Sequence, residues 1–531
     1  MLKIEEMTVE QKIGHIHCGC LVYDLPGNLD YVLDLIKKRA CTCLRVSLNR
    51  RGAEYIKRVR EVADYPLLII TDMETGYKLS GRPTVPLISL AACNNSEYNK
   101  AFAAVTARDA KAAGYTGCWG PVVDILEGDG PASVSRKSGD SPKSVTKFAR
   151  DIAEVFATYN FQSTGKHYPG GKYDFPLDSH MVEGVCSKTE DELLKFDLVP
   201  YFELWKENLL PSVMTRHCVY PNIDPDYPAS LSKKVIDIIR SRGYDGVIYT
   251  DSLAMMGILQ KYGEENAMAL AFEAGNDIIM PNCRRPAKET YEMLLNAYKE
   301  GRISDERLDE AVSRILKLAE TLDKEPENPY PVPKNIDEIL TAVARDCITA
   351  MCDDGVEASI PVDSKKLFVV TTDQGFDGVA SEISSGQWYS AKKVINAIKE
   401  RFPESEIVTI EEYPSAYNNE TVLNTATKYD DVVFVSFCTS GAYLGTDCLT
   451  RRLESVMNAL AISGKLSTVV HFGNPLALKN IKHIKRKIFG YTASESQIYA
   501  FDVLAGRIPA KGSMPYSTVL EREYANNAAR F

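Results

Sequence analysis

The 531-residue chain lacks several features that mark common functional classes. It has no excess of positive charge, since 72 Asp and Glu outnumber 62 Lys and Arg and the formal net charge is -10 at pH 7. Because phosphate backbones are held by clustered Lys and Arg, we expect no nucleic-acid partner. The C-terminal part contains neither a G-x-G-x-x-G turn nor a P-loop, so nothing in it supports nucleotide binding.

Long apolar runs and zinc-type cysteine spacings are missing as well. No stretch approaches the roughly 20 apolar residues of a membrane span, and the start MLKIEEMTVEQKIGHIH has no basic segment followed by an apolar one. We therefore expect a cytoplasmic protein without a membrane partner. The 13 cysteines include the pairs Cys18/Cys20 and Cys41/Cys43, spaced Cys-x-Cys rather than Cys-x-x-Cys. This pattern fits reduced, mostly buried thiols, and we predict no metal and no cofactor.

Short apolar runs alternate with amphipathic helical segments over the first 322 residues. Repeated strand-helix units predict a parallel sheet, and this many units favour a closed (β/α)8 TIM-type barrel over residues 1–322. Seven strands are predicted, within residues 41–49, 66–74, 116–125, 161–169, 211–221, 245–253 and 276–282.

A second domain is predicted after a linker. Residues 323–335, DKEPENPYPVPKN, are rich in proline and charge and poor in apolar residues, as linkers are. The chain then resumes an alternation of helices and strands, which predicts an α/β sandwich domain over residues 336–531. Its strands are predicted within residues 367–373, 405–410, 431–438, 467–475 and 487–491. Whether the protein is a monomer or a homodimer stays open.

Polar residues follow the apolar runs of the predicted barrel. In a TIM-type barrel the carboxyl ends of the strands form one rim, where the active sites of such enzymes lie. For any one of these residues, the alternative to a role in catalysis is simple solvation of the rim. Six such residues together favour an active site. The six are Asp72, Asp124, Lys166, His167, His217 and Asp251.

The region between Lys166 and Asp251 holds three of the seven histidines, interleaved with carboxylates. In the triplet Asp178-Ser179-His180, a carboxylate two residues from a histidine can orient the ring and stabilise its protonated form. Asp251 ends an apolar strand and can supply a nucleophile; its alternative role is the N-cap of the following helix. For Lys166 and His167, the alternative is simple pairing with rim carboxylates.

The combination of these motifs resembles glycoside hydrolase family 3, in particular its β-N-acetylglucosaminidase branch, which includes two-domain bacterial enzymes. The resemblance covers nearly the whole chain. Its barrel segments are TDMETG (71–76), GPVVDI (120–125), SRKSGD (135–140), KHYPGG (166–171), LDSH (177–180), MTRHCVYPNID (214–224) and GVIYTDSLAM (246–255). In the second domain, VVHFGNPLAL (469–478) and DVLAGRIPAKGSMP (502–515) are similar to the family's sandwich domain.

The resemblance implies roles for individual residues. Asp251 corresponds to the carboxylate that forms a covalent glycosyl-enzyme, His180 to the acid/base and Asp178 to its dyad partner. Residues implied or predicted to bind the sugar are Asp72, Arg136, Lys166, His167, His217 and Arg82. A retaining exo-β-N-acetylglucosaminidase is therefore expected, with a carbohydrate as its partner. The alternatives are a β-glucosidase or a phosphorylase on the same fold, and a non-catalytic sugar-binding protein.

The chain departs from the family pattern in three places. The second histidine after Pro-Gly is replaced, so that the segment reads Gly170-Gly171-Lys172. The arginine that usually follows the Asp-x-Glu-x-Gly segment is absent from its usual spacing, with Arg82 nearby. The segment GGKYDFPL before Asp178 also differs, and we expect it to govern how the loop carrying the dyad closes.

Overall fold

The chain folds into two compact units. The structure is a computed structural model that describes residues 3–128, 134–175, 178–372, 389–438, 443, 448–491 and 495–528. The first unit consists of Met1–Arg82, Asn99–Ile125 and Ser141–Lys334, and the second of Pro83–Tyr98, Leu126–Asp140 and Asn335–Phe531. Two short stretches from the N-terminal part thus fold with the C-terminal part. The division of the chain at a linker over residues 323–335 stays a prediction.

The first unit is built on two parallel sheets, with strand orders β1-β2-β3-β4 and β10-β7-β5. Isolated parallel bridges join Gly117 to Gln162, Tyr249 to Ile278 and Ile279 to His17. Four strands, three strands and the bridged segment 278–279 therefore make a ring of eight parallel segments. The strands are β1 (Gly19–Leu21), β2 (Cys43–Val46), β3 (Leu68–Thr71), β4 (Gly117–Cys118), β5 (Thr164–Tyr168), β6 (Gly184–Val185), β7 (Ser212–Thr215), β8 (Cys218–Tyr220), β9 (Asp224–Pro228) and β10 (Val247–Thr250).

Helices alternate with these strands, and several begin at a residue suited to capping. Thr8 starts the first helix with a capping box that also involves Gln11, and Ser141 caps a helix whose first residue is Pro142. The helices are α1 (Val9–Ile16), α2 (Asn28–Lys37), α3 (Arg50–Val62), α4 (Leu87–Cys93), α5 (Ser96–Ala112), α6 (Pro142–Thr158), α7 (Glu190–Lys195), α8 (Val199–Lys206), α9 (Lys233–Arg240), α10 (Met256–Tyr262), α11 (Glu264–Ala274), α12 (Ala287–Lys299) and α13 (Asp305–Asp323). None of the helices within the described ranges is both long and apolar enough to cross a membrane.

The second unit contains a six-stranded sheet with the order β11-β16-β15-β14-β12-β13. All neighbours pair in parallel except β11 and β16, which are antiparallel. The strands are β11 (Thr349–Cys352), β12 (Leu367–Thr372), β13 (Glu406–Glu411), β14 (Val432–Cys438), β15 (Leu466–Gly473) and β16 (Arg486–Phe489). The helices are α14 (Ile336–Asp346), α15 (Ala391–Arg401), α16 (Ala416–Ala426), α17 (Arg451–Ile462), α18 (Ser496–Leu504) and α19 (Ser517–Ala528).

The predicted fold class, a TIM-type barrel followed by an α/β sandwich, is confirmed. Six of the seven predicted barrel strands contain a strand of the structure, whereas residues 276–282 contribute isolated bridges. Four strands were not predicted from the sequence: β1 (Gly19–Leu21), β6 (Gly184–Val185), β9 (Asp224–Pro228) and the edge strand β11 (Thr349–Cys352). β1 has only three residues, Gly, Cys and Leu, and none is β-branched or aromatic, so its local pattern is weak.

The proline-rich segment after α13 packs along the first unit. The Tyr330 backbone N–H donates to Thr158 Oγ1 at 2.9 Å, and the Tyr159 hydroxyl donates to the Tyr330 carbonyl at 2.6 Å. Asn160 likewise donates to the Lys324 carbonyl at 2.9 Å. Hydrogen bonds thus hold the segment to the C-terminal end of α6.

Two buried histidines make the stability of the barrel depend on pH. Burial lowers the pKa of both His15 and His17 from 6.5 to about 4. Since the unfolded chain takes up these protons at a higher pH than the native one, the stabilisation is complete above pH 6.5 and is lost as the pH falls toward 4. At about 1.4 kcal/mol per pKa unit, each histidine should lower the free energy of unfolding by about 2 kcal/mol between pH 7.5 and 5.

Denaturant unfolding at a series of pH values measures this effect. His17→Gln should flatten the dependence below pH 6.5, because glutamine does not titrate. The exposed His483 provides the matched control, and His483→Gln should keep the wild-type slope. A slope that stays unchanged in His17→Gln would show that His17 does not carry the linkage.

Candidate active site

The carboxyl ends of the barrel strands bring together the polar residues expected at the rim. Asp72 directly follows β3 and Asp251 directly follows β10, while Lys166 and His167 lie within β5. Pairing between β5 and β7 shifts between Lys166 and Tyr168, so the regular alternation of side chains is interrupted there. His217 lies between β7 and β8. The strand ends of a parallel barrel thus place carboxylates and cations at one end.

Lys166 is the buried centre of an ion-pair cluster. Its Nζ lies 2.7 Å from Asp72 Oδ1 and 2.6 Å from Glu74 Oε1, and its side chain is 2% exposed. Arg45 Nη2 approaches Asp72 Oδ2 at 3.7 Å. Burial acts to raise the pKa of Asp72, but Lys166 and Arg45 outweigh it and the net shift is downward. Asp72 therefore remains ionised, and its half-exposed carboxylate can accept hydrogen bonds from a ligand's hydroxyl groups.

His167 is oriented by Asp124. The ring Nδ1 lies 2.7 Å from Asp124 Oδ2, and the His167 backbone N–H donates to Asp124 Oδ1 at 3.2 Å. This pairing turns the other ring nitrogen toward Asp251, with Nε2 and Oδ2 separated by 3.9 Å. Lys166 and His167 therefore do pair with rim carboxylates, as the alternative interpretation has it, and His167 also faces the candidate nucleophile.

Asp251 is held in its ionised form. Burial acts to raise the pKa of this carboxylate, but His167, His217, the Ser252 backbone N–H and His180 together lower it from 3.8 to about 2. The Ser252 N–H donates to Asp251 Oδ1 at 2.7 Å. Helix α10 begins only at Met256, so the interpretation of Asp251 as a helix N-cap is wrong. An ionised carboxylate in this position has the charge state that a nucleophile requires.

His217 supports the segment that carries Asp251. Its Nδ1 lies 2.7 Å from Ser230 Oγ, and its Nε2 lies 3.0 Å from the Ser252 carbonyl oxygen. Because a carbonyl oxygen only accepts, Nε2 must carry the hydrogen and donate it. The Nδ1 atom of the neutral ring is therefore the acceptor, and burial lowers the pKa of the ring. Both ring nitrogens are engaged by the protein, and a contact between His217 and substrate stays a prediction.

The Asp178-Ser179-His180 triplet forms the expected pair. Asp178 Oδ1 lies 2.8 Å from His180 Nδ1 and also accepts the His180 backbone N–H at 2.9 Å. Asp178 is buried, whereas the His180 side chain is 24% exposed. The His180 carbonyl accepts the Met256 N–H at 2.9 Å, which links the triplet to the segment that follows Asp251. Leu177, the first residue of the quoted LDSH segment, lies outside the described residues.

Two predicted substrate ligands have other surroundings. Arg82 Nη1 donates to Asp109 Oδ2 at 2.5 Å, and Asp109 belongs to the last turn of α5. Arg136 ends the 3-10 helix Val134–Arg136, which belongs to the second unit. Substrate binding by Arg82 and Arg136 stays a prediction.

Several residues of the site were given no role by the sequence reading. Glu74 is the carboxylate inside the Asp-x-Glu-x-Gly segment, and Asp124 was noted only as a rim residue. Arg45, in β2, lies over the Trp119 ring with its Cζ 5.3 Å from the ring centroid. Trp119 itself is buried, as predicted for a core residue. Arg45 lies at the middle of the strand predicted over residues 41–49, so its position in the sequence gave no signal of a role in the site.

Across the described part of the chain, no group of three or more His, Cys, Asp or Glu side chains is arranged to hold a metal ion. The described chemistry of the rim consists instead of carboxylates, imidazoles and ammonium or guanidinium groups. This set can bind hydroxyl groups, supply a carboxylate nucleophile and transfer a proton through an imidazole.

Comparison with known proteins finds relatives by sequence and solved structures with a similar fold. A β-hexosaminidase from Bordetella avium (strain 197N) is 35% identical over 185 residues, which are 34% of this chain and 51% of the relative. The chain thus spans about half the length of that curated relative. Among solved structures, a glycoside hydrolase family 3 β-N-acetylglucosaminidase from Paenibacillus sp. str. FPU-7 has a TM-score of 0.79 at 24% identity and covers 96% of this chain and 99% of its own.

A second solved structure, a β-glucoside phosphorylase, has a TM-score of 0.79 at 21% identity and covers 98% of this chain and 96% of its own. These two structural matches establish the fold. The family follows from the sequence, because the model of the glycosyl hydrolase family 3 N-terminal domain matches residues 45–318, which is more than half of the chain. The protein therefore belongs to glycosyl hydrolase family 3.

Proposed function

We propose that the protein is a retaining exo-β-N-acetylglucosaminidase that removes terminal β-linked N-acetylglucosamine. The observation that carries this proposal is the presence of an ionised carboxylate, Asp251, and an oriented imidazole, His180, on two neighbouring segments. A hydrogen bond from the Met256 N–H to the His180 carbonyl, at 2.9 Å, joins these segments. Retaining glycosidases need a nucleophile and a proton donor on the two sides of the glycosidic bond.

In the first step, Asp251 attacks the anomeric carbon as the bond to the leaving oxygen breaks. His180 enters this step as an imidazolium and gives its Nε2 proton to the leaving oxygen. An imidazole suits this work because the ordinary histidine pKa of about 6.5 is close to working pH. Asp178, bonded to Nδ1, fixes the ring orientation and stabilises the positive charge, as the carboxylate does in a Ser-His-Asp triad.

In the second step, neutral His180 takes a proton from water. The water oxygen, which gains negative charge, attacks the anomeric carbon. The ester bond to Asp251 breaks, and the carboxylate is restored. Two displacements on the same carbon leave its configuration unchanged. Asp72 and Lys166 are proposed to hold the hydroxyls of the bound sugar, with His167 beside the nucleophile.

The N-acetyl substrate is supported by the named activities of the relatives from Bordetella avium and Paenibacillus. Some glycosidases that cleave N-acetylhexosaminides use the acetamido group of the substrate in place of an enzyme nucleophile. Asp251 makes that participation unnecessary in this protein, so a covalent glycosyl-enzyme is proposed for the N-acetyl substrate too. The cytoplasmic location stays a prediction.

A substrate panel tests the proposal. Aryl β-glycosides of N-acetylglucosamine, glucose, N-acetylgalactosamine and xylose should be compared with and without inorganic phosphate. We expect kcat/KM to favour the N-acetylglucosaminide by at least about tenfold, a difference of about 1.4 kcal/mol in transition-state binding. The expected product is the free sugar, at a rate independent of phosphate. A preference for glucosides would contradict the N-acetylglucosaminidase, and a sugar 1-phosphate as product would assign a phosphorylase.

A further inference from the structure

Arg216, one residue before His217, is a buried cation that takes part in none of the steps above. It is 6% exposed. Its Nη1 donates to the carbonyls of Gly170 and Gly171, at 2.8 Å each. A buried charge satisfied by backbone carbonyls is expensive to maintain, so its neighbours are informative.

The neighbour of Arg216 is Tyr173, which belongs to the segment leading into the dyad. Arg216 Cζ lies 4.0 Å from the centroid of the Tyr173 ring, within the range of a cation-π contact. The ring also lies against Gly184, where a Cβ atom would come within 2.1 Å of Tyr173 Cε1. Only glycine leaves room for the ring there. Tyr173 thus contacts both Arg216 and the backbone of β6.

Tyr173 is also connected to the loop that carries the catalytic triplet. In the sequence, Tyr173 precedes Asp178 and Gly184 follows His180, so the contact between Tyr173 and Gly184 joins the two ends of this loop. Asp178 and His180 form the hydrogen-bonded pair within it. A chain of contacts therefore runs from the buried Arg216 through Tyr173 to the backbone that follows the turn carrying His180.

The turn that carries His180 is also joined to the segment after Asp251, because the His180 carbonyl accepts the Met256 N–H at 2.9 Å. The Asp178 carbonyl accepts the N–H groups of Met181 and Val182 at 2.9 and 3.1 Å, which closes the turn on itself. Beyond it, Glu183 pairs with Lys261 at 2.9 Å, but the Lys261 side chain is half exposed, and such pairs contribute little. Met181 and Val182 are both more than a third exposed. The contact with Tyr173, by contrast, involves the buried guanidinium of Arg216.

We infer that Arg216 and Tyr173 form a clasp that positions the Asp178-His180 dyad for proton transfer. The inference rests on the proposed function, and it makes both residues positioning residues that act through the dyad. Loss of the clasp should let the turn move while the Asp251 pocket stays intact. Transfer of the sugar to Asp251 should then slow for substrates whose leaving group must be protonated. It should keep its rate for substrates whose leaving group departs without a proton.

Kinetics with two leaving groups test the clasp. The variants are Arg216→Met and Tyr173→Leu, and the substrates are the methyl and the 2,4-dinitrophenyl β-N-acetylglucosaminides. Because general acid catalysis contributes about 10²- to 10⁴-fold, we expect kcat/KM for the methyl glycoside to fall by roughly 10- to 100-fold. For the dinitrophenyl glycoside we expect less than about a threefold loss. Tyr173→Phe keeps the ring that lies against the Arg216 guanidinium, so kcat/KM for both substrates should stay within about twofold of the wild type.

Lys261→Met is the matched control, because it removes the exposed ion pair on the same loop and should leave both substrates unchanged. Hydrogen exchange of the backbone amides of residues 178–187 gives a readout that needs no activity. It should be faster in Arg216→Met than in the wild type or in Lys261→Met. Thermal unfolding of each variant identifies those that fail to fold, and Arg216→Gln, which also removes the charge beside the Tyr173 ring, then replaces the variant that fails.

The outcomes separate the clasp from the proposed function. A wild-type protein inactive on every glycoside would remove the proposed function, while hydrogen exchange would still test the contact. Equal losses on both leaving groups in Arg216→Met would overturn the inference, because they would mean general damage to the pocket. Unchanged kinetics together with unchanged exchange would overturn it as well.

Discussion

Asp251→Asn is expected to lower kcat by a factor of about 10⁴ or more, equivalent to at least about 5 kcal/mol in the barrier. The amide has the size of the carboxylate and can still accept the Ser252 N–H, which donates to Asp251 Oδ1 at 2.7 Å. It cannot form the glycosyl ester, so the reaction should stop while the fold is kept. Initial rates with an aryl N-acetylglucosaminide, alongside thermal unfolding, measure the two effects.

Trapping adds a direct observation of the nucleophile. A 2-acetamido-2-deoxy-5-fluoro glycosyl fluoride should leave the sugar on the peptide that contains Asp251, detected by mass spectrometry. The exposed Asp226 serves as the control, and Asp226→Asn should stay within about twofold of the wild type. The assignment would be wrong if Asp251→Asn kept more than about a tenth of wild-type kcat, or if the label appeared on Asp124.

The second large effect is expected for His180→Ala on substrates with poor leaving groups. Loss of the proton donor should slow a methyl N-acetylglucosaminide by about 10³-fold, within the usual range for general acid catalysis. Aryl groups whose phenolate departs unprotonated should lose far less. The comparison of kcat/KM for the two substrates measures this difference.

Asp178→Asn is the companion variant. The amide can still contact Nδ1 but carries no charge to stabilise the imidazolium, so we expect the same selectivity between leaving groups with a smaller loss. If His180→Ala lost activity equally on both substrates, His180 would be a residue that positions the sugar. If Asp178→Asn matched the wild type, the dyad assignment would fail.

The barrel strands that the sequence predicted correctly are those whose patterns are local. β3 (Leu68–Thr71) and β10 (Val247–Thr250) are buried along their whole length and read as continuous apolar runs. Their ends then located Asp72 and Asp251, because a parallel barrel places strand ends on one rim. β1 (Gly19–Leu21) was missed because a three-residue strand depends on its neighbours rather than on its own composition.

Contacts between residues far apart in the chain could not be predicted from the sequence. Nothing in the chain indicated that Arg216 would meet Tyr173, or that Lys166 would join Asp72 to Glu74, because each contact depends on which strands become neighbours. The interpretation of Asp251 as a helix cap failed for a related reason. Asp is a common N-cap, but four residues separate it from the first residue of α10, and only the backbone trace reveals that spacing.

The two stretches Pro83–Tyr98 and Leu126–Asp140 have a consequence for shortening the protein. Ile88 and Ala92 from the first, and Leu126 and Val134 from the second, are buried in the core of the C-terminal unit. A chain cut within residues 323–335 would keep these apolar side chains but lose the sheet that covers them. Exposed apolar clusters promote aggregation, so the catalytic barrel of this protein is poorly suited to production as an isolated fragment.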